Sequence, residues 1–296
     1  MKNRILLIDA NLLLFKSFYA SSGTKYTLMK SDSGIPTYAI NTFFYSLFNV
    51  IEIMNPTHIY LAFDSKEKTY RHNLNSDYKA NRKSPPEELL IQFDWIKKIL
   101  KKLQIVYENI PHFEADDLIA TFSNKLKDNN EIIVWSDDKD LLQLVSENVS
   151  ILCKVKNNFL LKNIENFEKL ENLKPTQIVD FKAIAGDNSD NLKGVVGIGE
   201  ITAKKLLLQY QTLDNIYASL DKLSASIQNK FIESKKNAYL CKKITELLFN
   251  APSKHNLNSI KLNISFSDDA QKILSYLNLK KLIFRIRKFI DDSNNR

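Results

Sequence analysis

Residues 4–9, RILLID, decide how this chain folds. A short Ile/Leu-rich run without polar alternation is a strand buried on both faces, and it ends on a carboxylate. The same pattern returns at Thr57–Asp64 (THIYLAFD), at Glu131–Ser136 (EIIVWS) and at Val149–Cys153 (VSILC). Helical periodicity lies between these runs. Thr37–Ile53 puts Phe43, Phe44, Leu47, Val50 and Ile51 on one face. Further helices are expected at Glu87–Leu103, after the Pro85-Pro86 start, and at Ala115–Leu126 and Leu141–Val145. Strands alternating with helices imply an α/β fold with a mostly parallel sheet flanked by helices. Ligands of such sheets sit at the carboxyl ends of the strands. Asp9, Asp64, Asp137 and Asp138 fall there.

Those acids belong to a larger set. Asp9, Asp64, Glu114, Asp116, Asp117, Asp138, Asp140, Asp187 and Asp190 fall in five short clusters that end or follow apolar runs. A buried, uncompensated ion costs roughly several kcal/mol. The usual compensation is a divalent cation, and oxygen-only ligands favour Mg²⁺ or Mn²⁺. Each cluster alone has an ordinary explanation. FEADDL could be an acidic helix start, SDDKDL an N-cap and GDNSDN a polar turn. Five such accidents along one rim would be a coincidence.

Composition sets the wider frame. The 296 residues carry a net charge of +8, with 44% hydrophobic and 26% charged residues. An acidic cluster inside a basic protein points to a metal-dependent enzyme acting on a polyanion. The 36 Lys, 6 Arg and 30 Asn reflect coding bias as readily as DNA binding, so basicity alone decides nothing. Two cysteines, Cys153 and Cys241, form no disulfide framework and fit a reducing cytoplasm. The four histidines have no zinc spacing. There is neither a membrane-length apolar run nor a signal-peptide layout, so no membrane association is expected.

Two segments add chemistry. The connection 65–88, SKEKTYRHNLNSDYKANRKSPPEE, is long and basic, and carries Arg71, Tyr78, Lys79, Arg82 and Lys83. Such connections are functional or disordered. In residues 194–207, GVVGIGEITAKKLL, the glycines Gly194, Gly197 and Gly199 precede a helix bearing Thr202, Lys204 and Lys205. Glycines let a backbone approach phosphate, and a helix N-terminus supplies N–H donors. Strand signals stop near residue 170. A boundary at Lys174-Pro175 would separate a core (1–174) from a helical part (175–296).

Together, ILLIDA, FDSKEKTYRHNLNSDYKANRKSPPEEL, FEADDLIA, SDDKDLLQL and GDNSDNLKGVVGIGEITAKKLL resemble the 5′-nuclease (flap endonuclease) family. The branch most similar is the 5′→3′ exonuclease domain of bacterial DNA polymerase I, here as a stand-alone chain. The resemblance implies a PIN-like core, a helical arch at about 66–92 and a helix-three-turn-helix at about 187–208. It implies a phosphodiester hydrolase acting at 5′ ends, nicks and flaps of DNA, and on RNA–DNA primers. Asp9, Asp64, Glu114 and Asp116 would surround one Mg²⁺, and Asp117, Asp138, Asp140, Asp187 and Asp190 a second. Lys79 would be the catalytic cation, helped by Arg82. Arg71, Tyr78 and Lys83 on the arch, and the glycine-turn residues with Thr202, Lys204 and Lys205, would contact DNA. Carbonyls of residues 194–199 resemble a K⁺ site. A monomer working beside a separate polymerase and ligase is implied. After Asp9 the family shows small polar residues where this chain has Ala10-Asn11-Leu12-Leu13, and Tyr19 stands at a position often held by His.

Overall fold

The structure is a computed structural model that describes residues 2–23, 28–156 and 158–294. Its centre is one six-stranded sheet in the order β3-β2-β1-β4-β5-β6. The strands are β1 (Asn3–Asp9), β2 (His58–Ala62), β3 (Tyr107–Glu108), β4 (Asn130–Trp135), β5 (Val149–Val155) and β6 (Asn158–Lys162). The first five are parallel and β6 runs antiparallel on the edge. The expected four strands are present. The two extra ones, β3 and β6, lie at the sheet edges.

Successive residues of β1 serve opposite faces, which is why the run is continuously apolar. Ile5 and Leu7 join one core with α5 (Ala115–Leu126), α7 (Ile178–Ala185), α8 (Glu200–Tyr210) and α10 (Ala225–Thr245). Leu6 and Ile8 join the other, under α1 (Ala10–Ser21), α2 (Tyr38–Met54), α4 (Glu87–Lys102), α11 (Asp268–Tyr276) and α12 (Lys280–Asn294). Short helices α3 (Tyr70–Leu74), α6 (Phe167–Glu171) and α9 (Leu213–Ala218) complete the fold. The first core crosses residue 174 without a break, since Phe167 and Leu173 share it with Ile178 and Leu207.

One local expectation needs correction. The helix expected at Leu141–Val145 is a single 3-10 stretch, Asp140–Leu144. The basic connection 65–88 is ordered against the rest of the fold. Only α3 and a series of turns fill it before α4, and both Arg71 (2% exposed) and Tyr78 (3%) are buried. Tyr78 packs with Leu192, Cys241 and Ile244, which pins the segment to the helical half.

Candidate metal centre

The parallel register brings the strand ends together. Asp9 is level with Ala62 of β2, and Ile8 with Trp135 of β4, so Asp9, Asp64 and Asp138 leave the sheet side by side. Asp9 caps α1 by accepting the Leu12 N–H at 2.9 Å, and its second oxygen accepts the Ser136 hydroxyl at 3.1 Å. Asp64 accepts the Ala115 N–H at 2.8 Å and the Asn11 amide at 2.6 Å. The atypical Asn11 therefore orients a rim carboxylate. Asp138 accepts the Asp140 N–H at 2.8 Å.

Asp116 differs from these acids. No described side chain or N–H donates to it. Burial, then the charges of Asp138, Asp9, Asp140 and Asp64, push its carboxyl well above the usual carboxylate range. Burial raises Asp9 to about 7, with Asp64 and Asp138 adding to the effect. The charges of Asp9, Asp64 and Asp138 thus bear on Asp116 with too few protein cations to offset them, an environment that suits a hard divalent ion.

A second group lies beside them. Asp140, Asp187 and Asp190 offer oxygens that all lie within 4.8 Å of one another. Lys182, 6% exposed, pairs with Asp140 and with Asp187 at 2.7 Å. Burial lifts Asp140 to about 7, against the pull of Lys182. Burial also acts to raise Asp187, but Lys182 and Ser189 outweigh it and bring the carboxyl to about 2. The sequence reading missed Lys182. A single cation inside the apolar helix FKAIA, five residues before Asp187 of GDNSDN, was the available signal.

Lys79 donates to Glu114 at 3.0 Å, and the Tyr78 hydroxyl reaches the same oxygen at 3.0 Å. Burial works against the Glu114 carboxylate, yet Lys79 and Arg71 hold its pKa below the ordinary value. Arg82 meets Asp190 at 2.6 Å.

Asp117, expected at the second ion, is held by protein donors. Asp117 is fully buried, and Arg71 donates to both of its oxygens, at 2.7 and 2.8 Å. The Leu248 N–H at 2.9 Å and the Glu114 N–H at 3.2 Å complete its shell. These donors let it brace the start of α5. Arg71 is its counter-ion and Tyr78 a core ring, so neither offers DNA a surface. Lys204 is also engaged, donating to the Glu171 carbonyl at 2.6 Å. Gly194 serves packing, because a Cβ there would collide with the Ile184 carbonyl oxygen. Gly197 (φ +80°), Gly199, Thr202 and Lys205 remain at the open turn and helix start, and Lys83 is exposed.

Adjacent acids at the end of β4 separate cleanly. Asp137 accepts the Lys154 N–H at 2.9 Å and pairs with Lys16, whereas Asp138 accepts the Asp140 N–H. Asp137→Asn is therefore expected to cleave within a few-fold of wild type, and Asp138→Asn to be severely impaired. Mg²⁺ titrations of cleavage for both variants check this. A dead Asp137→Asn beside an active Asp138→Asn would reverse the register.

The raised carboxyls also fix a pH dependence. With folded pKa values near 7 against an ordinary 3.8, Asp9 and Asp140 hold protons in the metal-free fold that the unfolded chain has released. Their contribution to stability is present below about pH 4 and is lost as pH rises through 7. Divalent ions must displace those protons. The rise in Tm on adding Mg²⁺ should be small at pH 5.5 and grow to pH 8. An equal rise at both would remove the assignment.

Comparisons with known proteins fit this geometry. Residues 4–171 match the description "5'-3' exonuclease, N-terminal resolvase-like domain", and residues 173–267 match "5'-3' exonuclease, C-terminal SAM fold". The chain is 37% identical to the 5′-3′ exonuclease of Bacillus subtilis, covering 84% of this chain and 85% of that protein. It is 40% identical to the 5′-3′ exonuclease of Mycoplasmopsis pulmonis, over 88% and 87%. Against the DNA polymerase I of Caldicellulosiruptor bescii it is 31% identical over 96% of this chain but 33% of the longer protein. Among solved structures, zinc-bound T5 5′-exonuclease superposes with a TM-score of 0.66 at 18% identity, covering 82% of this chain and 89% of that one. This chain belongs to the 5′-3′ exonuclease family. No helix among the described residues is long and apolar enough to cross a membrane.

Proposed function

We propose that this protein hydrolyses DNA phosphodiesters at 5′ ends, nicks and 5′ flaps, using two Mg²⁺ ions. The observation that carries the reading is the Asp140, Asp187 and Asp190 group, whose oxygens lie within 4.8 Å of one another, together with Lys79 on Glu114. Asp9, Asp64, Asp116 and Asp138 would hold one ion, with Glu114 at its edge. Asp140, Asp187 and Asp190 would hold the other. When bound, the two ions supply a water of lowered pKa and offset charge on the leaving oxygen.

The chain's own residues do the rest. Ser136 and Asn11 orient Asp9 and Asp64. Lys182 keeps Asp187 ionised at working pH. Lys79 and Arg82 would turn from their carboxylates toward the scissile phosphate and stabilise its developing charge. Gly197, Gly199, Thr202 and Lys205 would receive duplex phosphates without reading bases. A K⁺ ion at this turn could take the Gly197 carbonyl only by displacing Lys230, which donates to it at 3.1 Å. Primer removal in replication and repair would be its use.

Product mapping on a labelled double-flap DNA with Mg²⁺ tests the reading. Cleavage at the flap base is expected. Cleavage of single-stranded RNA alone would replace it with a ribonuclease. Lys79→Ala should lower single-turnover cleavage by roughly 10²-fold or more, the scale for one transition-state charge donor. Flap affinity should change far less; a collapse of affinity with an unchanged chemical step would make Lys79 a docking residue.

A further inference from the structure

The turn that carries Lys79 and Arg82 does not stand alone. The Asn81 side-chain amide donates to the Asn188 carbonyl at 2.8 Å. In return, the Asn191 amide donates to the Asp77 carbonyl at 2.8 Å. Between these crossed bonds, the Lys79 N–H donates to the Asp190 carbonyl at 3.0 Å. Residues 77–81 and 188–191 are thus stitched by three bonds that use no ionised group, beside the Arg82 contacts with the Asp190 carboxylate (2.6 Å) and the Ser189 carbonyl (3.4 Å). Both turns also hold a left-handed backbone outside glycine, at Lys79 (φ 57°) and Asn191 (φ 57°). A lysine has no intrinsic preference for that region, and it persists only where surrounding bonds hold it.

We propose that Asn81 and Asn191 are positioning residues, latching the Lys79 turn to the Asp187–Asn191 turn so that cation and second carboxylate group keep one register. The inference rests on the role given above to Lys79. The sheet does not supply this alignment: the two turns are about 110 residues apart in sequence and neither belongs to a strand. Without the latch, the left-handed lysine relaxes and its ammonium swings away from Glu114. Because the two side-chain amide bonds are neutral and partly solvent-facing, each is modest alone, and both must go for a full effect.

The test is the double variant Asn81→Ala/Asn191→Gly. Glycine keeps the left-handed backbone at 191 and removes only the amide. Single-turnover cleavage of a 5′-flap duplex at saturating Mg²⁺ should fall about 10-fold, with flap affinity and Tm near wild type. Combined with Lys79→Ala, the double variant should add no further loss, because both changes remove the same aligned cation. Hydrogen exchange at the Lys79 amide in DNA-free protein should quicken at least 10-fold. An unchanged rate, losses that multiply with Lys79→Ala, or unchanged exchange would each overturn the latch. A silent Lys79→Ala would instead strike the catalytic role of that lysine, and the latch with it. A strong Lys79→Ala beside a silent latch variant sinks the latch alone.

Discussion

Replacing Asp116 by Asn is expected to lower single-turnover flap cleavage by roughly 10³-fold or more, beyond the loss of one preorganised electrostatic group. The same change should make the metal-free protein more stable at pH 8. Both outcomes share one cause. Among the described residues nothing donates to Asp116, which is under the charges of Asp138, Asp9, Asp140 and Asp64. A neutral amide relieves that repulsion but withdraws an anionic ligand from the site. Mg²⁺ should consequently raise the Tm of the variant by less than it raises that of wild type. Cleavage within 10-fold of wild type, or a metal-free Tm that falls, would place the ion elsewhere. The paired readout matters because an ordinary core acid, when neutralised, loses stability and shows no change in metal response.

The neighbouring acid should behave in the opposite way. Asp117→Ala is expected to cost about 3–5 kcal/mol, the scale for leaving a buried partner charge unpaired. At this chain length that lowers Tm by on the order of 10 °C. The reason is Arg71, which is 2% exposed and gives two hydrogen bonds to Asp117. Replacing both residues with apolar ones, Arg71→Met with Asp117→Leu, should recover much of the loss. Urea unfolding of the single and double variants measures it. A normal Tm for Asp117→Ala with Mg²⁺ binding abolished would return Asp117 to the metal.

The contrast between Asp116 and Asp117 marks where sequence reading ends. Both sit in FEADDL at the start of α5, whose bounds, Ala115–Leu126, the periodicity predicts to the residue. Consecutive helix positions differ by about 100° around the axis. One of the two acids must therefore face the rim and the other the interior. Which one faces inward depends on where β1 and β2 lie beneath the helix. It also depends on Arg71 arriving from 46 residues away. No local pattern carries that information. Lys182 escaped for a related reason, since a lysine in an apolar helix looks misplaced until Asp140 and Asp187 are set beside it.

The strands were legible where both faces are buried. Continuous apolar runs such as Arg4–Asp9 have one stable disposition, inside a parallel sheet with a polar end at its mouth. That alone placed Asp9, Asp64 and Asp138 on one rim and made a divalent ion the natural compensation. The edge strands β3 and β6 were not legible, because Tyr107–Glu108 and Asn158–Lys162 are short and half-exposed and become strands only through their neighbours. By itself, then, the sequence determined the layered core and the gathering of carboxylates, since periodicity and burial act along the chain. The tertiary structure decided which carboxylates are left without a donor, which cation each of the others meets, and that the Lys79 turn is stitched to the Asp190 turn. Those outcomes turn on hydrogen-bond partners of opposite sequence distance and fixed direction, and direction exists only once the chain is folded.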